Sequence, residues 1–295
     1  MKKNIIVITG GAGFVGSNLI ETLLKNTKFS IISIDDYSSG TVKNHFKRSN
    51  RLKYIKGDTK NIEIILKKKE RKINSIFHFG EFSRIYQSFK YFDKCFESNV
   101  IGSKEVFKFC QKNKIKLIYS ATSASLGNKG NDKNLSPYAF TKSKNLELLE
   151  NLKKWFGLKY EVIYFYNVYG PKQIGEGEMA TVVGIFEKQF KQKKYLTVVK
   201  PGFQTRRFTH IKDTIRACYT AWKKNKCRHY CVYSKKQYSI IQIAKLFKSK
   251  IRYLPKRKGE RYASSLVRMN LSNNIYKIYG KIDIKDYIKS IIKNN

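Results

Sequence analysis

Short apolar runs recur at regular intervals through the first half of the chain, and stretches of helical periodicity separate them. Strands are predicted at 5–9, 30–34, 52–56, 75–79, 116–120 and 160–165. Helices are predicted at 14–25, 62–71, 91–113 and 139–155. Strands that alternate with helices require a parallel sheet with both faces covered, so the pattern predicts an α/β, doubly wound fold.

The alternation loosens after Gly170 and Pro171, where glycines become frequent and one further helix is predicted at 180–192. We therefore predict a first domain over 1–170 and a smaller C-terminal lobe over 171–295. The sequence between them has no recognisable linker, which indicates that the lobe is interwoven with the first domain.

Composition and charge leave two readings of the surface open. The 295 residues are 41% hydrophobic and carry a net charge of +40 from 61 Lys and Arg against 21 Asp and Glu. This balance suits attraction to polyanions, or it reflects a lysine-rich composition dispersed along the whole chain. The dispersion favours the second reading, so we expect no specific nucleic-acid partner.

Membrane and metal functions find little support in the sequence. No apolar run approaches the roughly 20 residues that a bilayer span needs, and the basic start runs directly into a strand and a glycine turn. The five cysteines are odd in number and lack a second Cys/His pair at zinc spacing. We expect reduced thiols, no metal site and a cytoplasmic protein.

A glycine-rich turn follows the first predicted strand and predicts a dinucleotide site that includes Gly10, Gly13, Phe14, Val15 and Gly16. The glycines let the backbone approach a pyrophosphate, and the helix N-terminus offers unpaired N–H donors. Asp35 ends the second strand, where it can accept hydrogen bonds from the adenosine ribose and disfavour NADP. Asp36 is the competing candidate, and either aspartate can instead cap the turn that follows. Asp58 is expected beside the adenine.

Tyr138 and Lys142 stand four residues apart, so a helix places them on one face. A tyrosine with an ordinary pKa near 10 is a poor base at neutral pH, but a nearby cation favours its phenolate. Hydroxyl side chains end the strand upstream, and we expect Thr122 or its neighbour Ser123 to hold a substrate oxygen beside the phenol. Tyr138, Lys142 and Thr122 are the predicted catalytic residues.

These motifs resemble the extended short-chain dehydrogenase/reductase family, and in particular its NAD-dependent sugar-nucleotide epimerases of the UDP-glucose 4-epimerase type. The resemblance covers about Lys3 to Arg268 and rests on TGGAGFVG, on HFG at Phe79 and Gly80, and on the YxxxK pair. It implies a Rossmann-type domain that binds NAD with the help of Asn99. It further implies that Asn167 in YNVYGP, Arg206 in RRFTHI and Arg257 in RKGE hold a nucleotide-diphosphate sugar.

The sequence departs from the family pattern at two informative places. Thr122 is followed by Ser123 and Ala124, where the dehydratases carry an acidic pair, which favours a 4-epimerase. Glu81 replaces a small residue after Gly80, and the sequence leaves open whether it lines the pocket or pairs with Arg84 at the surface.

Other functions remain as alternatives to an epimerase. The same family includes net oxidoreductases, dehydratases and decarboxylases of activated sugars, and a non-catalytic relative that binds NAD or RNA would suit the charge. The resemblance also implies a homodimer through the helices near 91–113 and 139–155, and a role in polysaccharide biosynthesis.

Overall fold

The computed structural model describes residues 3–47, 49–256 and 275–294. Its strands, in chain order, are β1 Ile5–Thr9, β2 Ser30–Asp35, β3 Leu52–Lys56, β4 Ile73–His78, β5 Lys116–Thr122, β6 Tyr160–Phe165, β7 Val168–Tyr169, β8 Leu196–Val199, β9 Thr205–Arg206, β10 Thr209–His210, β11 His229–Tyr233, β12 Tyr238–Ser239, β13 Ile251–Leu254 and β14 Ile275–Tyr279.

The helices lie between these strands and beyond the last of them. They are α1 Phe14–Asn26, α2 Ile62–Ile65, α3 Gln87–Lys90, α4 Phe92–Phe96, α5 Ser103–Lys112, α6 Pro137–Phe156, α7 Val182–Lys191, α8 Ile211–Lys224, α9 Ile240–Leu246 and α10 Ile284–Lys293. A π-helical segment, Glu97–Gly102, joins α4 to α5. A 3₁₀ segment, Ser123–Asn134, follows β5.

One eight-stranded sheet organises the described residues, in the order β14-β11-β6-β5-β4-β1-β2-β3. Every neighbouring pair in it is parallel. The central part, 3-2-1-4-5-6, reverses direction between β1 and β4, and ligands of such sheets bind at the carboxyl ends of the strands beside this switch point. The predicted doubly wound α/β fold is confirmed.

The two faces of the sheet are covered by different helices. Apolar residues of α1 and α8, such as Leu23 and Cys218, pack on one face. Residues of α2, α5 and α6, such as Phe107 and Leu149, pack on the other. Strands buried on both faces carry continuous runs of β-branched and apolar residues, and all five residues of Ile5–Thr9 are β-branched.

A third apolar cluster forms the core of the smaller lobe. It joins α7, α9 and α10 to β8 through residues such as Phe186, Leu196, Ile243 and Ile288. The chain beyond residue 170 also supplies α8, β11 and β14 to the large sheet layer. The lobe and the first domain are therefore interwoven, while the division at residue 170 stays a prediction.

Two predicted helices differ from those in the structure. The helix predicted at 62–71 ends at Ile65, and Lys68 adopts a left-handed conformation with φ of 66° inside a run of three lysines. The helix predicted at 91–113 is instead three joined pieces, α4, the π-helical segment and α5. The remaining predicted elements agree with the structure to within about two residues.

Candidate active site

A cavity of about 800 Å³ opens at the carboxyl ends of the central strands. It is lined by most residues that the sequence singled out: Gly10, Gly13, Phe14, Val15, Gly16, Asp35, Asp36, Asp58, Phe79, Gly80, Thr122, Ser123, Tyr138, Lys142, Asn167 and Arg206. Arg257 lies outside the described residues. The sequence motifs, which are spread over about 200 residues, thus meet in one place.

The glycine turn forms one end of this cavity. Gly10 has a φ of 70°, and a Cβ added to it would lie 2.8 Å from the backbone nitrogen of Gly80. A Cβ at Gly16 would lie 2.2 Å from the carbonyl oxygen of Gly10. Gly13 caps α1 without a side-chain hydrogen bond. The first N–H groups of that helix therefore point into the cavity without side-chain partners, as an anion site requires.

The two candidate aspartates both hold backbone turns at the cavity edge. Asp35 is buried and accepts hydrogen bonds from the backbone N–H groups of Ala12 and Tyr37, each at 2.9 Å. Burial raises the pKa of Asp35, and these hydrogen bonds oppose that rise. Asp36 accepts a hydrogen bond from the Ser38 N–H at 2.9 Å. The capping role foreseen as an alternative thus applies to both, and both still face the cavity.

Asp58 lines the cavity, whereas Asn99 is buried behind the lining. Asp58 accepts the Lys60 N–H at 2.9 Å and lines the cavity. Asn99 is fully buried behind the wall, where its side chain bonds both the N–H (2.7 Å) and the carbonyl (3.1 Å) of Phe82. The structure therefore gives Asn99 a bracing position beneath the loop after β4 and not a place in the lining.

Local sequence positions the Tyr138 helix against the end of β5. Ser136 caps α6 by accepting the Ala139 N–H at 3.1 Å, and Pro137 occupies the first turn. Thr122 is the last residue of β5, and its hydroxyl lies close enough to Tyr138 to oppose the rise in the pKa of that phenol. The predicted convergence of a phenol and a threonine hydroxyl is present in the cavity.

The electrostatics of Tyr138 differ from those expected from the sequence. Burial raises the pKa of Tyr138 to about 12, with the charge of Glu81 adding to the rise and Thr122 and Arg84 opposing it. The prediction that Lys142 and a bound nicotinamide together favour the phenolate stays a prediction, because burial outweighs the charges around Tyr138 in the protein without cofactor.

Lys142 forms a buried ion pair with Glu81. The two side chains are 4% and 1% exposed, and the ammonium also donates to the Ser120 carbonyl at 2.5 Å. Burial lowers the pKa of Lys142, while Glu81 raises it. Of the two positions that the sequence left open for Glu81, a place in the pocket wall is the one observed, and pairing with Arg84 at the surface is wrong because the carboxylate is buried and pairs with Lys142.

The far side of the cavity carries the residues predicted to bind substrate. Asn167 has a left-handed backbone (φ 32°), and its amide donates to the Arg207 carbonyl at 3.1 Å. Arg206 lines the same side and donates to the Thr205 carbonyl at 2.8 Å. This arrangement leaves one cationic and one amide side chain opposite the glycine turn.

A loop over 174–181, called the crossing loop below, spans the cavity between the two lobes. Arg84 donates to the Met179 carbonyl from Nε (2.9 Å) and Nη2 (2.5 Å), and Gln87 donates to the Glu178 carbonyl at 2.5 Å. Lys90 pairs with the Glu178 carboxylate at 2.6 Å. Sequence reasoning missed this set, because contacts across about 90 positions leave no local signal.

Two features that other functions would need are absent from the described residues. Among residues 3–47, 49–256 and 275–294, no group of three or more His, Cys, Asp or Glu side chains is placed to hold a metal ion. Within the same ranges, no helix is long and apolar enough to cross a membrane. All five cysteines are free thiols.

Comparisons with known proteins agree with this geometry. The model of the NAD dependent epimerase/dehydratase family matches residues 6–234. A putative UDP-glucose 4-epimerase of Methanocaldococcus jannaschii is 25% identical and covers 99% of each chain.

Two solved structures have the same fold at 25% identity. UDP-N-acetylglucosamine 4-epimerase from Methanobrevibacter ruminantium, in complex with UDP-N-acetylmuramic acid, superposes with a TM-score of 0.83 over 99% of this chain and 97% of that one. UDP-glucuronic acid 4-epimerase from Bacillus cereus, in complex with UDP-glucuronic acid and NAD, superposes with a TM-score of 0.82 over 98% of this chain and 99% of that one.

Proposed function

The chain belongs to the NAD dependent epimerase/dehydratase family, and on that basis we propose that it is an NAD-dependent epimerase of a nucleotide-activated sugar. The preferred carbon is C4, which would be oxidised to a ketone and reduced again from its other face. The observation that carries this proposal is the convergence of Thr122, Tyr138 and Lys142 on a cavity whose opposite end is the glycine turn.

The residues present fit a dinucleotide at that turn. The N-terminal turn of α1 offers free N–H groups to a diphosphate, and any Cβ at Gly10 or Gly16 would clash with backbone there. Asp35 and Asp36 place carboxylates at the end of β2, which supports NAD over NADP because a 2′-phosphate would meet like charge. When bound, NAD would accept a hydride from the sugar carbon and return it.

The side chains of this chain would handle the proton. Tyr138 as phenolate would take it from the sugar hydroxyl during oxidation and give it back during reduction, while Thr122 holds the same oxygen. The positive charge of bound NAD would lower the pKa of Tyr138 from its raised value towards the working range. Base catalysis of this kind contributes roughly 10²–10⁴-fold in rate.

Arg206 and Asn167 support a nucleotide diphosphate as the handle of the substrate. Both line the cavity on the side away from the glycine turn, and an arginine suits a diphosphate because it can bind two oxygens at once. The predicted second clamp, Arg257, remains a prediction from the sequence. The two similar structures, whose ligands are UDP-sugars, favour UDP as the nucleotide.

Epimerisation is favoured over dehydration because, among the described residues, no free acid stands beside the phenol. Loss of water needs a general acid near the leaving hydroxyl, but Ser123 and Ala124 follow Thr122. Glu81 is the carboxylate that acts on Tyr138 electrostatically, and it is already bound by Lys142 and by neutral donors.

A screen of sugar nucleotides tests the proposal. Purified protein would be incubated with UDP-, GDP-, ADP- and dTDP-sugars without added reductant, and NMR would report the configuration of each carbon. We expect one inverted centre with the wild type and none with Tyr138→Phe, although that variant still binds NAD. Near-wild-type turnover by Tyr138→Phe would refute the assigned role. In a parallel incubation with NAD(P)H, stoichiometric consumption of the added cofactor would identify a reductase instead.

The proposal includes a cytoplasmic homodimer. Apolar side chains on α4, the π-helical segment and α6 are unusually exposed, with Phe92 at 50%, Ile101 at 45% and Phe140 at 37%. Such a patch is typical of a protein interface. Light scattering would test it, because Phe92→Glu should yield a monomer.

A further inference from the structure

Glu81 belongs to the wall of the active-site cavity, and its carboxylate is almost fully buried there. Its side chain is 1% exposed, and Oε2 pairs with the ammonium of Lys142. Oε1 accepts hydrogen bonds from Ser103 Oγ (2.9 Å), the Tyr119 hydroxyl (3.0 Å) and Asn145 Nδ2 (3.2 Å). Each carboxylate oxygen therefore has at least one donor.

The groups around Glu81 are those that a carboxylate requires. Ser103 donates its hydroxyl proton to Oε1, and Lys142 donates to Oε2. Asn145 Nδ2 lies within hydrogen-bond distance of Oε1, of the Tyr119 hydroxyl (3.1 Å) and of the Asn99 carbonyl (2.6 Å), so its two protons are shared among three acceptors.

The serine that bonds Glu81 is oriented by a second chain of hydrogen bonds. Thr9 Oγ1 accepts the N–H groups of Phe79 and Gly80, at 3.1 and 3.0 Å, so its proton goes to His78 Nδ1 at 2.7 Å. His78 is neutral because burial lowers its pKa to about 4. Its Nε2–H therefore donates to Ser103 Oγ at 3.0 Å. A continuous chain of hydrogen bonds thus connects the backbone of Gly80, beside the glycine turn, to Glu81.

We propose that Glu81 is the buried counter-ion that keeps Lys142 protonated and fixes its ammonium in the wall of the cavity. Glu81 touches neither cofactor nor substrate in this role and is a positioning residue that acts through the lysine. The ion pair stands on geometry alone, whereas its importance for catalysis rests on the proposed function.

The remaining surroundings of Lys142 cannot replace a counter-ion. The ammonium donates to the Ser120 carbonyl and lies 4.7 Å from the centre of the Tyr119 ring, both of which are neutral groups. A buried ammonium without an opposite charge gives up its proton readily. The titratable groups that face the pair from the surrounding elements are His78 on β4, Cys95 on α4, Tyr119 on β5 and Tyr138 on α6.

Titration of the lysine Cε resonance tests the proposal without cofactor or sugar. Protein labelled with ¹³C-lysine would be titrated by NMR, and the Lys142 signal would be assigned by its loss in Lys142→Met. In Glu81→Gln we expect the midpoint to fall by at least about one pH unit, a tenfold loss of proton affinity. The control Ser103→Ala removes a neutral hydrogen bond and leaves the charge, so it should move the midpoint far less.

Two results would overturn the proposal: an unchanged midpoint in Glu81→Gln, or an equal shift in both variants. If Glu81→Gln does not fold, the double variant Glu81→Gln/Lys142→Met decides. A counter-ion predicts that the double variant melts above Glu81→Gln, because no unpaired charge remains buried. A double variant no more stable than that single one would contradict it.

Activity adds a readout that separates this inference from the proposed function. In an active epimerase, the alkaline limb of the pH profile should move to lower pH in Glu81→Gln and stay in place in Ser103→Ala. If Lys142 titrates as expected but the protein does not turn over any sugar nucleotide, only the proposed function is refuted. If the enzyme turns over but Glu81→Gln shifts neither the Lys142 midpoint nor the alkaline limb of the pH profile, only the counter-ion proposal is refuted.

Discussion

Gly10 and Gly80 lie so close that no side chain fits between the two backbone turns that carry them. A Cβ on Gly10 would stand 2.8 Å from the Gly80 nitrogen and from the Phe79 carbonyl, and the Gly10 backbone is left-handed, with φ of 70°. This contact joins the carboxyl ends of β1 and β4, which frame the cavity.

We therefore expect Gly10→Ala to lose about 3 kcal/mol of unfolding free energy from backbone strain and overpacking together, and to lose NAD affinity. Gly157→Ala is the matched control, because Gly157 has a φ of 68° with nothing within 4 Å of the added Cβ. It should cost about 1 kcal/mol from strain and leave NAD binding intact. Denaturant unfolding and calorimetry measure both, and equal NAD affinity in the two variants would contradict the close-packing argument.

Tyr138 should couple NAD affinity to pH. Burial raises the pKa of Tyr138 to about 12, and the positive nicotinamide of NAD favours the phenolate. Binding therefore lowers that pKa, so NAD affinity should increase as pH rises, by at most about tenfold per pH unit. Calorimetric titrations between pH 7 and 9.5 check this. Two controls should lack this component of the rise: NAD binding to Tyr138→Phe, and binding of NADH, whose ring is uncharged, to the wild type. A rise of the same size in these two titrations and in that of the wild type with NAD would contradict the coupling.

His78 should make the protein sensitive to mild acid. Burial lowers the pKa of His78 from about 6.5 to about 4, so the unfolded chain takes up a proton that the folded protein resists. Its stabilising contribution is complete above pH 6.5 and is lost as pH falls towards 4. Between pH 7 and pH 5 this residue should account for about 2 kcal/mol of unfolding free energy.

His210 and His229 also have pKa values lowered to about 4, so they add to the pH dependence of stability. Denaturant unfolding of wild type and His78→Gln at pH 7 and pH 5 isolates the contribution of His78. A variant with the full pH dependence of the wild type would contradict the assignment to His78.

Arg84 should affect both substrate binding and the proton step. Its guanidinium holds the crossing loop through the Met179 carbonyl, and its charge lowers the pKa of Tyr138. Arg84→Lys keeps the positive charge but loses the pair of hydrogen bonds from Nε and Nη2 to the Met179 carbonyl. KM for the sugar nucleotide should therefore rise about tenfold, while kcat is largely kept. Arg84→Gln should also lower kcat and move the acid limb of the pH profile to higher pH. Identical kinetics in the two variants would argue against separate roles.

The sequence predicted those parts of the fold that depend on local pattern. Apolar runs such as Ile5–Thr9 and the Ser136–Pro137 start of α6 are set by neighbours along the chain. The helix predicted to reach Arg71 failed because apolar periodicity fades into the lysine run that the chain turns through at Lys68.

The sequence predicted the site residues that belong to local motifs. It did not predict the partners that residues acquire through tertiary contacts. Tyr138 and Thr122 meet as expected, since a strand end and a helix start fix both. The partner of Glu81 is 61 positions away, so the sequence offered Arg84 as an equal alternative and gave no sign that burial and Glu81 raise the pKa of Tyr138.

The most direct test of the account is epimerisation in D₂O, followed by ¹H NMR at the inverted carbon. A hydride that leaves the sugar and returns to it never meets solvent, so we predict inverted product that keeps its original hydrogen, with no net build-up of NADH at 340 nm. Product that carries solvent deuterium at that carbon would contradict the account, because its proton would then have been removed from carbon and not from the hydroxyl held by Tyr138 and Thr122.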